Sequence, residues 1–334
     1  MMRNLFMKIL IVCVVILLFG GAGATQEKPI SVYSSCDVWE IQRLLDKFTE
    51  DTSIPTSFIR LSAGEMFARV ISEAGAPKAD IIMCASTPEH STLAARGLLE
   101  HYVSPNTAEV NELLIDPDGY TNAFFIWALG FGVNKTLVEE AGLSYPETWD
   151  DLLDPVWKDE IMYSKSYTSS TSYTLVASIL QWKGEEAGWE YLKKLGSNVL
   201  HYPTSGAAPT RSAAVGEVTI GISAGHDILK TINAGYPVKL IYPKPTGWST
   251  GAVSIVKGGP NTEGAKKFID WCFTKSCQQL HADIANRLGT IPGILMPPGV
   301  PAIEDLELIK IDFAWMSENQ TRINDKWREE VEGL

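Results

Sequence analysis

Hydroxyl side chains recur where an α/β protein would use them. Ser34-Ser35, Ser62 and Ser86-Thr87 each follow a short β-rich or apolar run, namely Ile30–Tyr33, Phe58–Leu61 and Asp80–Cys84. Hydroxyls at such places accept from, or sit beside, the free N–H groups of a following helix, and that surface suits anions. A plainer reading is that each serine only caps its own helix. Three clusters at one sheet edge favour a shared ligand site, because open α/β sheets bind ligands outside the carboxyl ends of their strands. A second hydroxyl-rich stretch, Lys165 to Ser172, offers Ser166, Thr168 and Ser169 to a phosphate or phosphonate, or else is a polar loop. Ser205 follows another strand-like run, and Trp248 beside Gly247 could stack on a sugar face or pack in the core. Arg60 and Arg211 could neutralise an anion or lie solvated on the surface.

The elements that position these residues follow from periodicity. Asp37–Asp51 carries Val38, Ile41, Leu44, Leu45 and Phe48 on a helical stripe. Ser62 and Glu65 form a capping box for the next helix. Strand, polar loop and helix repeat three times, which predicts βαβ units and a parallel sheet. Ala128–Asn134 reads as a strand whose glycines at 130 and 132 leave one face bare, as where a chain crosses between domains or packs closely. Further strands are expected near Glu160–Tyr163, Val199–Tyr202, Val218–Ile222, Lys239–Tyr242 and Gly251–Val256. A helix is expected over Asn261–Thr274, and a helical tail from Ala302.

The amino-terminal residues bear on location. Arg3 and Lys8 precede the apolar run Ile9–Phe19, and small residues close it at Ala24. This predicts a cleaved secretory signal over 1–24, with a retained membrane anchor as the alternative. The run is shorter than the roughly 20 residues that span a bilayer. Cys13 follows Val12 rather than a small residue, so no lipid anchor is expected. Cleavage leaves about 310 residues, enough for two domains, and takes the net charge from −12 to near −14. Such an acidic chain has no footprint for nucleic acid or anionic membrane. Cys36 and Cys84 follow strand-like runs and could meet as a disulfide or stay as thiols. Cys272 and Cys277, five apart on one expected helix, are awkwardly placed for a bridge. The chain has no CxxC zinc or redox pair, no G-x-S-x-G and no H-E-x-x-H, and His90, His101, His201 and His281 have no motif around them. No catalytic residue, metal or cofactor is expected, with a secreted hydrolase as the outlying alternative.

Pro146–Ile161, with its Thr148-Trp149-Asp150-Asp151-Leu152 core and Asp154-Pro155-Val156-Trp157-Lys158, resembles a segment of the extracellular solute-binding proteins of ABC importers. Gly132–Lys135, Val215–Gly221, Tyr242–Pro245 and Gly259–Asn261 are similar to further segments of that family. Its nearest branch binds ferric ion, thiamine, phosphonate or hexose phosphate. The resemblance implies an α/β, two-lobe type II binding-protein fold with hinge strands and a ligand cleft between lobes. It places lobe one at about 28–127 plus 250–300 and lobe two at 128–249 plus 301–334. It also implies a monomeric periplasmic receptor that hands a small solute to an inner-membrane permease. Ferric binders carry paired tyrosines after the strand at Gly221, and none stand here. His226-Asp227 at that place resembles the pair of hexose-phosphate binders, where it would hold sugar hydroxyls; as plain chemistry, Asp accepts two such bonds and His donates or accepts. The same pair could simply begin a helix, with Asp227 as its acid. Iron held by His226, Asp227 and a carboxylate such as Glu65 is the alternative ligand.

Overall fold

A computed structural model describes residues 28–110 and 114–333. The expected signal segment lies outside the described residues. Among them, no helix is long and apolar enough to cross a membrane.

The first βαβ units form as the periodicity predicts. β1 (Ile30–Ser34), α1 (Val38–Thr52), β2 (Thr56–Arg60), α2 (Ala63–Ser72), β3 (Ile81–Ser86) and α3 (Thr87–Ala95) follow one another. β1 pairs in parallel with both β2 and β3. The stripe on α1 buries Ile41, Leu44, Leu45 and Phe48, whereas Val38 at its start is 58% exposed. Ser62 and Glu65 make the expected capping box, and Ser86 makes another with Glu89.

The sheet is parallel only in part. β4 (Asn122–Asn134) is a 13-residue strand that runs antiparallel to its neighbours. After it come α4 (Lys135–Glu140), β5 (Ile161–Met162), α5 (Ser170–Lys183), α6 (Glu185–Gly196), α7 (Ala208–Val215), β6 (Ile220–Ala224), α8 (Gly225–Asn233), β7 (Val238–Ile241) and β8 (Trp248–Ile255). The chain ends with α9 (Thr262–Cys272), α10 (Lys275–Ala285), β9 (Leu288–Gly289) and α11 (Phe313–Trp327). Residues 122–128 of β4 pair with β8, which pairs on with β3. Residues 129–134 pair with β6 and β7. One strand therefore serves two groups of strands. Its glycines admit close packing: a Cβ at Gly130 would sit 2.5 Å from Leu240 Cδ1, and one at Gly132 would sit 2.9 Å from Thr210 Oγ1 of α7. The expected strand at Val199–Tyr202 is only a single bridge, Val199 to Ile161.

The Pro146–Ile161 segment is packing. Trp149 is 1% exposed; its Nε1 donates to the Pro245 carbonyl at 2.8 Å, and its ring meets Phe131 edge-on. Asp154 caps the turn at Val156, and Trp157 Nε1 donates to the Asp151 carbonyl. The carboxyl-terminal α11 packs on α3 through Thr92 and Gln320, and on α5, where Tyr173 donates to the Met316 carbonyl. Cys272 and Cys277 fall on two helices rather than one, both as buried thiols.

Cys36 and Cys84 form a disulfide, Cα to Cα 5.8 Å, that ties the β1–α1 turn to β3. Cys84 adopts φ +78°, a left-handed conformation unusual for a residue with a side chain, where the β3–β8 register shifts. The bridge closes a 48-residue separation. Replacing both cysteines with serine should cost about 4 kcal/mol by the loop-entropy relation. Urea unfolding of wild type and the double variant measures this, and coincident midpoints would contradict it.

Candidate functional site

A cleft of about 80 Å³ opens between the carboxyl end of the β1–β3 group and the elements that follow β4. That is room for on the order of half a dozen waters, or a compact polar head group. Five helix N-termini line it. They are those of α1 (Asp37), α2 (Ser62, Ala63), α5 (Ser169, Ser170, Thr171), α7 (Gly206, Ala207) and α8 (His226, Asp227). First-turn N–H groups lack intrahelical acceptors, and the helix dipoles add partial positive charge, so the lining favours an anion. The two sides nearly touch: Gly64 N donates to Thr168 O at 3.4 Å, and a Cβ on Gly64 would come within 2.3 Å of Tyr167 O.

Seven of the anticipated residues meet here: Ser35, Ser62, Thr168, Ser169, Ser205, His226 and Asp227. The other six lie elsewhere. Ser34 is buried one step behind the lining, its Oγ accepting from Cys36 N. Glu65 is exposed, its Oε2 taken by Ser62 N and Oγ. Ser86 donates to buried Glu89, which also accepts from Ser170. Thr87 accepts from Thr250 at 2.7 Å and lines a separate cavity under α11. Ser166 is 1% exposed, with no partner for its Oγ among the described residues. Trp248 donates Nε1 to the Ile309 carbonyl and packs edge-on against Phe313, so its ring serves the carboxyl-terminal segment.

A charged cluster that periodicity could not reveal reaches from the lining, with Lys230 and Arg287, to Glu40 and His281 behind it. Glu40, on α1, is fully buried. Its Oε1 accepts from Arg287 Nε (3.0 Å) and Nη2 (2.8 Å) and from His281 Nε2 (2.8 Å), and its Oε2 from Lys230 Nζ (2.7 Å). Burial pushes its pKa up, yet Arg287, Lys230 and the His281 bond outweigh this and hold it well below the ordinary carboxylate range. Lys230 also reaches Asp227 (3.2 Å) and Asp37 (3.6 Å). Arg287 lies over the Phe125 ring at 4.3 Å and contacts His226 Nε2 through Nη1. That contact makes Nε2 the acceptor and Nδ1 the protonated nitrogen. His226 is 7% exposed, and its Nδ1 has no partner among the described residues. Burial, then Arg287 and Lys230, hold His226 neutral with a pKa well below its usual value. Sequence reasoning missed Glu40, Lys230 and Arg287 because each belongs to an element with an adequate helical or loop explanation, and the three lie up to 247 positions apart.

Among the described residues, the one group with metal-ligand proximity is Cys36, Glu40 and His281. Cys36 is in the disulfide and Glu40 holds two cations, so the set does not suit a metal ion. Among the described residues, the cleft lining includes no tyrosine.

Three buried histidines set the acid limit of the fold. Burial lowers His90 to about 3 and His281 to about 4, and lowers His226 further than its ordinary range. Folded pKa values below the unfolded 6.5 mean that the unfolded chain takes up protons first, so stability is present above pH 6.5 and declines as pH falls below it. Each histidine contributes a slope approaching about 1.4 kcal/mol per pH unit down to its folded pKa. Glu89, raised by burial, opposes this near its own titration. Denaturation free energies measured at about pH 7.5 and 5.5 should differ by more than one histidine's share; equal values would refute the assignment.

The chain matches the model of a bacterial extracellular solute-binding protein over residues 76–322. The structure of the periplasmic binding protein AfuA from Actinobacillus pleuropneumoniae with exogenous fructose 6-phosphate bound is 32% identical. It superposes at a TM-score of 0.89 over 92% of this chain and all of that one. The periplasmic binding protein P5PA is 31% identical at a TM-score of 0.87, over 91% of this chain and all of that one. Iron uptake protein A1 of Synechocystis sp. PCC 6803 is 25% identical over 84% of this chain and 81% of its own length. The fold is accordingly the two-lobe α/β fold of periplasmic binding proteins, and the matched family is one of solute-binding proteins. The chain belongs to the bacterial extracellular solute-binding protein family.

Proposed function

We propose that this protein is the periplasmic solute receptor of an ABC importer and captures a small phosphorylated or otherwise anionic polar solute of the hexose-phosphate or phosphonate type. The observation that carries the reading is the convergence of five helix N-termini, a ring of hydroxyls and the His226–Asp227 pair on one cleft. Amides and hydroxyls suit phosphate oxygens, while Asp227 and His226 suit sugar hydroxyls. AfuA, a similar protein, has been seen with fructose 6-phosphate. The lining without tyrosine offers no phenolate to ferric ion, which supports a phosphorylated solute over iron. Lobe one is taken as about 28–127 plus 250–300 and lobe two as 128–249 plus 301–334, with β4 as a hinge strand. Export by the 1–24 signal would place a soluble, monomeric receptor beside its inner-membrane permease.

Fructose 6-phosphate at 100 times its Kd should stabilise the protein by roughly 2.7 kcal/mol, seen as a rise in melting temperature. Asp227→Ala should weaken binding by about tenfold or more, as for a lost hydrogen bond to a charged group. A titration panel of hexose phosphates, phosphonates, thiamine phosphates and Fe³⁺ decides between ligands. A coloured ferric complex with no response to any phosphorylated compound would replace this reading with iron.

A further inference from the structure

Three cations line the cleft: Arg60, Lys230 and Arg287. Two of them are already neutralised. Arg287 is held by Glu40, and Lys230 by Glu40 and Asp227. Arg60, the last residue of β2, differs. It is half-buried, and its Nε donates to the Cys36 carbonyl at 3.4 Å. Among the described residues no carboxylate pairs with it. The acid nearest in sequence, Glu65, feels its charge but spends its oxygen on Ser62. An uncompensated, partly desolvated guanidinium is costly unless an anion comes to it. The N-terminus of α2 at Ser62–Ala63 lines the same wall and adds partial positive charge. The cleft also holds the unpartnered His226 Nδ1, a second polar group that the protein itself leaves unsatisfied.

We propose that Arg60 is the specificity-determining residue for the anionic end of the ligand, receiving a phosphomonoester dianion, while Asp227 and His226 take the hydroxyl end. This inference rests on reading the cleft as a sugar-phosphate site. The planar guanidinium offers two parallel N–H donors matched to two phosphate oxygens, which an ammonium does not. Because the second phosphate ionisation lies near pH 6, binding through Arg60 strengthens as pH rises through that value.

Calorimetric titration of wild type, Arg60→Gln and Arg60→Lys with fructose 6-phosphate, fructose and inorganic phosphate tests it, at about pH 5.5 and 7.5. Wild type should bind fructose 6-phosphate far better than fructose, and more tightly at the higher pH. Arg60→Gln should lose about tenfold or more for the phosphate ester and flatten its pH dependence, with Arg60→Lys restoring part of both. Arg60→Gln that binds fructose 6-phosphate with wild-type affinity and pH profile overturns the role of Arg60 and leaves the sugar-phosphate reading standing. Wild type that ignores fructose 6-phosphate but binds inorganic phosphate in an Arg60-dependent way overturns the sugar reading and leaves the anion subsite. Binding of neither probe overturns both.

Discussion

The buried carboxylate of Glu40 is the constraint on which the cleft depends. Placing an ion out of water costs several kcal/mol, and only good geometry with every lone pair satisfied offsets it. Here four donors do so, from three separate parts of the chain: His281 on α10, Arg287 just before β9 and Lys230 on α8. Removing Arg287 or Lys230 would leave Glu40 with less compensating charge in a dry site, and removing neutral His281 would leave one of its lone pairs unsatisfied. The cluster therefore fixes α1 against α8 and, through Arg287, sets the hydrogen-bonding state of His226. Asp227 and His226 of the cleft are held by these same charges, through Lys230 and Arg287.

An anionic solute of the kind proposed would have to be held by an acidic chain. The global charge is −12, which repels a phosphate at long range. Within the cleft, the lysine and one arginine are tied to carboxylates, so most of the attraction comes from helix N-termini and hydroxyls rather than from net charge. Backbone dipoles are fixed in place and cost no reorganisation. A receptor built this way holds its ligand by geometry at short range, where the field of distant surface acids is screened.

Much of this was legible in the sequence, and the residues show why the rest was not. The βαβ units, the Ser62–Glu65 box and the crossing strand with Gly130 and Gly132 follow from local periodicity and local sterics. Seven of thirteen anticipated site residues reached the cleft because strand ends and helix starts are local features. The others failed for local and for distant reasons. Ser34 and Ser86 spend their hydroxyls on neighbouring groups, and Trp248 turns its indole to Ile309. The antiparallel insertion of β8 between β3 and β4, and the Glu40 cluster, depend on contacts more than a hundred positions apart. Periodicity carries no information about such pairs.

In the proposed receptor, closure and binding would be the same event. The lining comes from elements on both sides of β4, and the Gly64–Thr168 contact leaves no space for a side chain between them. A ligand touching both sides, as proposed, would gain its full contacts only with the two sides together, and that preference would shift the population towards this arrangement. Lys230 and Arg287 bridge α8 to the Glu40 cluster. These charge contacts would themselves favour the arrangement in which the two sides meet, and a bound solute would add to that preference. The affinity of the site is then set jointly by what the cleft offers the solute and by how firmly the buried charges hold the two sides together.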